Sequence, residues 1–152
     1  MELIVKQVSS LEKIRPSGIG AVDSLEEALV LGGQSFSYQI ALQTPERVEL
    51  SARVESPVAD WVKLNHVVNV VMDVACYSSA DDDYITKEPG IMPDMLLPME
   101  GKDSLVHLTN QAGALWVQVQ VPENTPAGRY PITVKLHAAT LKEELEAETT
   151  MV

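Results

Sequence analysis

The chain has 152 residues, 45% of them hydrophobic and 22% charged, and 22 acidic against 11 basic side chains give a formal net charge of −11. That length suits one domain with a real core and is short for two. The acidic excess is spread along the chain and repels phosphate backbones and anionic lipid, so neither nucleic acid nor a membrane surface is an expected partner.

Residues 1–7 show no basic stretch leading into an apolar one, as a secretory signal would. No run approaches the roughly 20 apolar residues of a membrane helix. Ser24-Leu25-Glu26-Glu27 has the form of a helix capping box, with Gly32-Gly33 as a stop. Tertiary context overrides such local signals, so strand is the expectation for 25–31. Phe36, Tyr38, Ile40 and Leu42 then alternate with polar or small residues, and Val48, Leu50, Ala52 and Val54 do the same after Thr44-Pro45. This period of two predicts two strands with a turn between them. Ser56-Pro57 marks another turn. From 62 to 74 the even positions are apolar except for His66, and the run is long for one strand, so a bend or bulge is expected near 65–69.

Residues 77–113 lack a sustained period and hold Asp81-Asp82-Asp83 and three prolines. They read as one long irregular loop, uncommon within a compact domain unless functional or packed as a unit. Residues 115–121 and 130–136 alternate again around Thr125-Pro126-Ala127-Gly128, a turn in which proline presets φ and glycine takes positive φ. They read as an antiparallel hairpin with one buried face. Tyr130 sits where immunoglobulin-like sandwiches carry their tyrosine corner. Thr140-Leu141-Lys142-Glu143 is a second capping box, and strand is expected for 141–148 despite good helix propensity. The fold class that results is all-β: an immunoglobulin-like antiparallel β-sandwich, a single domain over 1–152, with one long irregular loop at about 77–113.

The segments Asp81-Asp82-Asp83-Tyr84-Ile85, Glu88-Pro89-Gly90-Ile91-Met92-Pro93-Asp94-Met95-Leu96-Leu97-Pro98 and the 115–130 stretch occur in that order. Together with Gly33-Gln34-Ser35-Phe36, they resemble the N-terminal β-sandwich of bacterial proteins similar to glycoside hydrolase family 123. In that family a proline-rich loop precedes a TPAG-type turn, and a (β/α)₈ barrel with an acidic pair for hexosaminide cleavage follows the sandwich. A barrel needs about 250 residues. The resemblance therefore implies an excised N-terminal module whose own C-terminal catalytic barrel is absent, and a chain that is not itself an enzyme. It implies an accessory role in carbohydrate metabolism, docking on and orienting that barrel.

The candidate docking residues are Ile91, Met92, Met95, Leu96 and Leu97, an apolar stretch that would expose a hydrophobic patch if left uncovered. It could also support a homodimer. The alternative is a carbohydrate-binding face of Trp116, Gln118, Gln120 and Lys135, with Arg129, Thr133 and His137 beside them. Indole stacks on the apolar face of a sugar, and amides bind its hydroxyls. With aromatics only 5% of the chain, the expectation is that the loop or the barrel covers this face. Asp81, Asp82 and Asp83 lack the pattern of a calcium loop and read as solvated or turn-capping. His66, His107 and His137 lack ligand spacing, and Cys76, the only cysteine, allows no disulfide and reads as a buried, inert thiol. No metal or cofactor is expected. The lone thiol and the missing signal favour the cytoplasm as the compartment.

Overall fold

A computed structural model describes residues 2–73, 86–99 and 106–152. Cys76 and Asp81, Asp82 and Asp83 lie outside the described residues. Seven strands are described: β1 (Ile4–Ser9), β2 (Ser35–Glu55), β3 (Val62–Met72), β4 (Gly90–Pro98), β5 (Val106–Gln120), β6 (Ile132–Ala139) and β7 (Glu144–Met151). A single 3₁₀ turn at Ala59–Trp61 precedes β3. All pairings are antiparallel, in the order β4-β3-β5-β2-β6-β7, with β1 also on β2. The all-β, sandwich-like fold expected from the alternation is what the chain forms.

A bend in β2 makes two layers from one hydrogen-bonded sheet. The first half of β2 lies between β1 and β5, from Ile4↔Gln43 to Ser9↔Tyr38 on one side. Its last part pairs with β6, from Glu49↔Ala139 to Glu55↔Thr133. In between, the register with β5 shifts between Thr44 and Arg47, so that Pro45 and Glu46 oppose Asn110 alone. Asn110 takes φ +47° there. This is a β-bulge, and the strands bend together at it. Thr44-Pro45 is therefore no turn: the two expected strands are one, and the proline occupies a bulge, a sheet position that tolerates its missing N–H.

Tyr38, Ile40 and Leu42 of β2 and Leu115 and Val117 of β5 are buried against Val134, Leu136 and Ala138 of β6 and Met151 of β7. This is the core between the layers. A second buried cluster lies on the outer face of β2 and β5, where Ala41, Ala112 and Ala114 meet Ile14 and Ile19 of the 10–22 segment. Gln39 fastens that segment: its Nε2 donates to the carbonyls of Ser9 (3.1 Å), Ser10 (3.4 Å) and Glu12 (2.8 Å). The Ala112 N–H donates to Pro16 O (3.0 Å), and the Ile19 N–H donates to Gln43 Oε1 (3.1 Å).

Three further expectations need correction. The 115–121 and 130–136 strands are not hairpin partners, because β5 pairs with β2 and β3 while β6 pairs with β2 and β7. Their connection crosses from one layer to the other. Tyr130 does form the expected corner, its O–H donating to Pro126 O (2.7 Å). The irregular loop at 77–113 is strand over Gly90–Pro98 and from Val106 onward. Its prolines mislead because β4 ends the sheet, and an edge strand tolerates them. Asp94 is the extra residue of a bulge opposite Val68 and Asn69, which fits the irregularity expected near 65–69.

Residues 25–31 are neither helix nor strand. They form an extended strap whose backbone finds tertiary partners: the Leu25 N–H donates to Gln7 O and the Ala28 N–H to Val152 O, both at 3.0 Å. Strand is right for most of 141–148, with β7 beginning at Glu144. Thr140 is the turn residue before it, its Oγ1 accepting from the Glu143 N–H (2.9 Å).

Candidate functional site

Trp116, Gln118 and Gln120 project from the outer face of β5, since Leu115, Val117 and Val119 take its inner face. Trp116 is half-buried against the cluster under the 10–22 segment, so the chain itself covers part of this face. Gln120 is exposed and hydrogen-bonds Ser35 Oγ. Lys135 lies on the outer face of the other layer, where Nζ is 2.8 Å from Glu55 Oε2. Glu55 holds the Lys135 ammonium above its usual range, and Lys135 pulls the Glu55 carboxyl below its own. The four residues of the expected sugar platform are thus not brought together. Arg129, Thr133 and His137 do not join Trp116 either.

The apolar docking residues all lie on β4, where successive side chains alternate between its two faces. Ile91, Met95, Leu96 and Leu97 are exposed on β4, Met92 is half-buried, and Val71 of the adjacent β3 is 77% exposed. No described strand lies on the far side of β4. Pro93 and Pro98 remove two donors from the strand and Asp94 adds a charge, devices that discourage indiscriminate edge pairing.

The histidines do not converge. Among the described residues no group of three or more His, Cys, Asp or Glu side chains could hold a metal ion. His107 Nδ1 is 3.8 Å from Glu49 Oε1, and His137 is exposed on β6. His66 is half-buried opposite Leu115 and Leu97, and burial, then the nearby His107, holds its pKa below the ordinary value. The sign follows from linkage. Below about pH 6.5 the unfolded chain takes up a proton that the folded chain resists, so stability falls as the pH drops through that value. Urea unfolding of wild type and His66→Gln at pH 8 and pH 5 should show a smaller loss in the variant. An equal loss would remove His66 as the source.

A cleft of about 450 Å³ lies at one end of the sandwich, between the strap and the β5–β6 connection. Sequence reading did not single it out. Its walls include Phe36, Trp61 and Tyr130, with Val119, Ile132 and Met151 at the floor. These aromatics stand at the beginnings of β2, β3 and β6, and the registers Phe36↔Val119 and Val62↔Val119 set the first two elements on either side of Val119. Trp61 and Tyr130 meet at 5.2 Å between ring centroids, tilted by 50°. Across the mouth, Arg129 Nη2 is 2.9 Å from Glu27 Oε1.

The strap forming the outer wall is tied at both ends. The Val152 N–H donates to Glu26 O (3.1 Å), and the Gly33 N–H donates to Val121 O (3.0 Å). Gly32 allows the close approach there, because a Cβ on it would lie 2.6 Å from Glu123 O. Gly33, at φ +82°, turns the chain back into β2. Leu29 and Leu31 point outward, 98% and 66% exposed.

No family model matches the chain, and no curated protein matches it. Among solved structures it is similar to a family 123 glycoside hydrolase from Clostridium perfringens, with a TM-score of 0.71 at 10% identity. The match covers 99% of this chain and 27% of that one, so the chain spans a minor part of the length of that enzyme. It also matches a PapD-like domain of human CEP192, with a TM-score of 0.40 at 7% identity over 84% of this chain and 78% of that one. The first likeness is a distant structural relation, and what it shows is the fold. Among the described residues no helix is long and apolar enough to cross a membrane.

Proposed function

We propose that this sandwich is a non-catalytic accessory module of a larger glycoside-hydrolase-like protein, and that its β3–β4 edge docks on a neighbouring catalytic domain. The observation that carries this reading is that nearly the whole chain superposes on 27% of a family 123 glycoside hydrolase, leaving most of that enzyme unmatched. The exposed apolar side chains of β4 supply a contact surface of the right character. Docking would work by burial: Ile91, Met95, Leu96 and Leu97 give up water contact, and the two-layer core keeps the edge rigid.

The expected result of incubating the chain with aryl N-acetylhexosaminides is no release of the aryl group. Turnover by the purified chain would overturn the non-catalytic reading. Replacing both Leu96 and Leu97 by Glu should change the unfolding free energy by no more than about 0.5 kcal/mol each, as for other exposed positions. It should also weaken binding of a hydrophobic dye. A cooperative loss of more than about 2 kcal/mol would place these side chains in the domain's own core and remove the docking role.

A further inference from the structure

We infer that the cleft between the strap and the Trp61–Tyr130 corner binds an amphipathic cation, an apolar body carrying an ammonium or guanidinium group. This inference is independent of the accessory role. The cleft's volume of about 450 Å³ lies within the range of small-molecule sites.

The polar side chains around it are already engaged within the chain. Glu27 and Arg129 pair at 2.9 Å, Thr125 Oγ1 donates to Pro122 O (2.7 Å), and the Tyr130 O–H donates to Pro126 O (2.7 Å). A polyhydroxylated ligand would find few side-chain partners for its hydroxyls. What the cleft offers is a lining of three aromatic side chains, Phe36, Trp61 and Tyr130, with the aliphatic Val119 and Ile132 beside them.

Two of those rings are held in place before any ligand arrives. Tyr130 is pinned by its hydrogen bond to the turn, and the Trp61 ring packs against it at 5.2 Å between centroids. Fixed rings lose little freedom on binding. The tilt of 50° between them makes a two-walled corner, and aromatic faces attract cations through their quadrupole.

Charge decides among the apolar ligands that would fit. Glu26 and Glu27 lie on the strap, Asp60 directly precedes Trp61, and the Glu123 backbone abuts Gly32. Arg129 is the one basic residue lining the cleft, and Glu27 holds it. The whole chain carries −11. A carboxylate-bearing ligand would enter against this field, whereas a cation is drawn in.

The test uses three ligands of similar shape: benzyltrimethylammonium, benzyl alcohol and phenylacetate. The Trp116→Phe variant leaves Trp61 as the only tryptophan, so its fluorescence reports on the cleft. The cation should quench it saturably and bind about 5- to 30-fold more tightly than the alcohol, with phenylacetate weakest. Glu27→Gln should weaken the cation about 3- to 5-fold, and Arg129→Gln should strengthen it by a similar factor, because each shifts the local charge by one unit. Both residues are well exposed, so neither change should endanger the fold. Methyl chemical shifts of Val30 and Met151 in the unsubstituted chain give a second readout that does not depend on the tryptophan variant. Benzyl alcohol or phenylacetate binding as tightly as the cation would overturn the inference. So would the absence of any saturable change in both readouts.

Discussion

Leu115→Ala is expected to lower the unfolding free energy by about 3–5 kcal/mol, the range for truncating a buried leucine whose surroundings cannot collapse. Leu115 is fully buried in β5, opposite Ile40 of β2 on one side and His66 of β3 on the other. Strands hold β5 on both flanks, and the opposing layer supplies Val134 and Leu136, so no neighbour is free to move into the cavity. A domain of ordinary stability has about 5–15 kcal/mol in total, so the variant should unfold at a much lower urea concentration with an unchanged slope. Leu141→Ala is the matched control, because that side chain is fully exposed in the β6–β7 turn and should cost less than about 0.5 kcal/mol. Equal effects at the two positions would show that Leu115 is not at the packed centre.

Leu115 belongs to the part of the fold that is legible in the sequence. A period-two stripe declares a strand and assigns its inner face, and the stripes of β2, β5 and β6 name most of the core. Which strand pairs with which is another matter. The 125–128 turn chemistry suggests a hairpin, yet a turn signal fixes only a local reversal. Here the connection holds Pro122, Pro126 and Pro131, and the Tyr130 hydrogen bond to Pro126 O stabilises a crossing between layers. Proline misleads twice more, at Pro45 and Pro93, because a bulge or an edge absorbs the missing donor that would break a central strand.

The candidate sites follow the same logic. The apolar residues of β4 can be picked out in the sequence because hydrophobicity without a covering partner is a local property. The sugar platform does not assemble because Trp116 on β5 and Lys135 on β6 would share a face only if those two strands paired, and they do not. The aromatic cleft has no local signal in the sequence, because Phe36, Trp61 and Tyr130 are far apart in the chain and come to line one cleft only through the registers of β2 and β3 with β5. The strap that closes it carries a helix-like capping box, whose local preference gives way to hydrogen bonds with Gln7 and Val152.

The second large effect is expected at Gln39, which alternation assigns to the solvent face of β2. The residue is only 3% exposed, because the 10–22 segment folds over that face and closes the second cluster. Its amide nitrogen is the shared donor for three carbonyls, Ser9 O, Ser10 O and Glu12 O. Gln39→Leu keeps the volume and removes the donors; Ser9 O keeps the Glu12 N–H at 3.2 Å, so Glu12 O is the acceptor most exposed to the loss. A total loss of about 1–3 kcal/mol is expected, since the Ser10 contact at 3.4 Å is long and adds little. The damage should begin locally. Detaching the segment releases the Ile19 N–H from Gln43 and the Ala112 N–H from Pro16, so these two amides should exchange with deuterium far faster in the variant. Amides in the β6–β7 pairing should keep their wild-type rates until the whole domain opens. Trp116, half-buried against the same cluster, should shift its emission toward the red as the cover lifts. Unchanged exchange at Ile19 and Ala112 would mean that the apolar contacts of Ile14 and Ile19 hold the segment without the glutamine, and Gln39 would lose its role as the fastening.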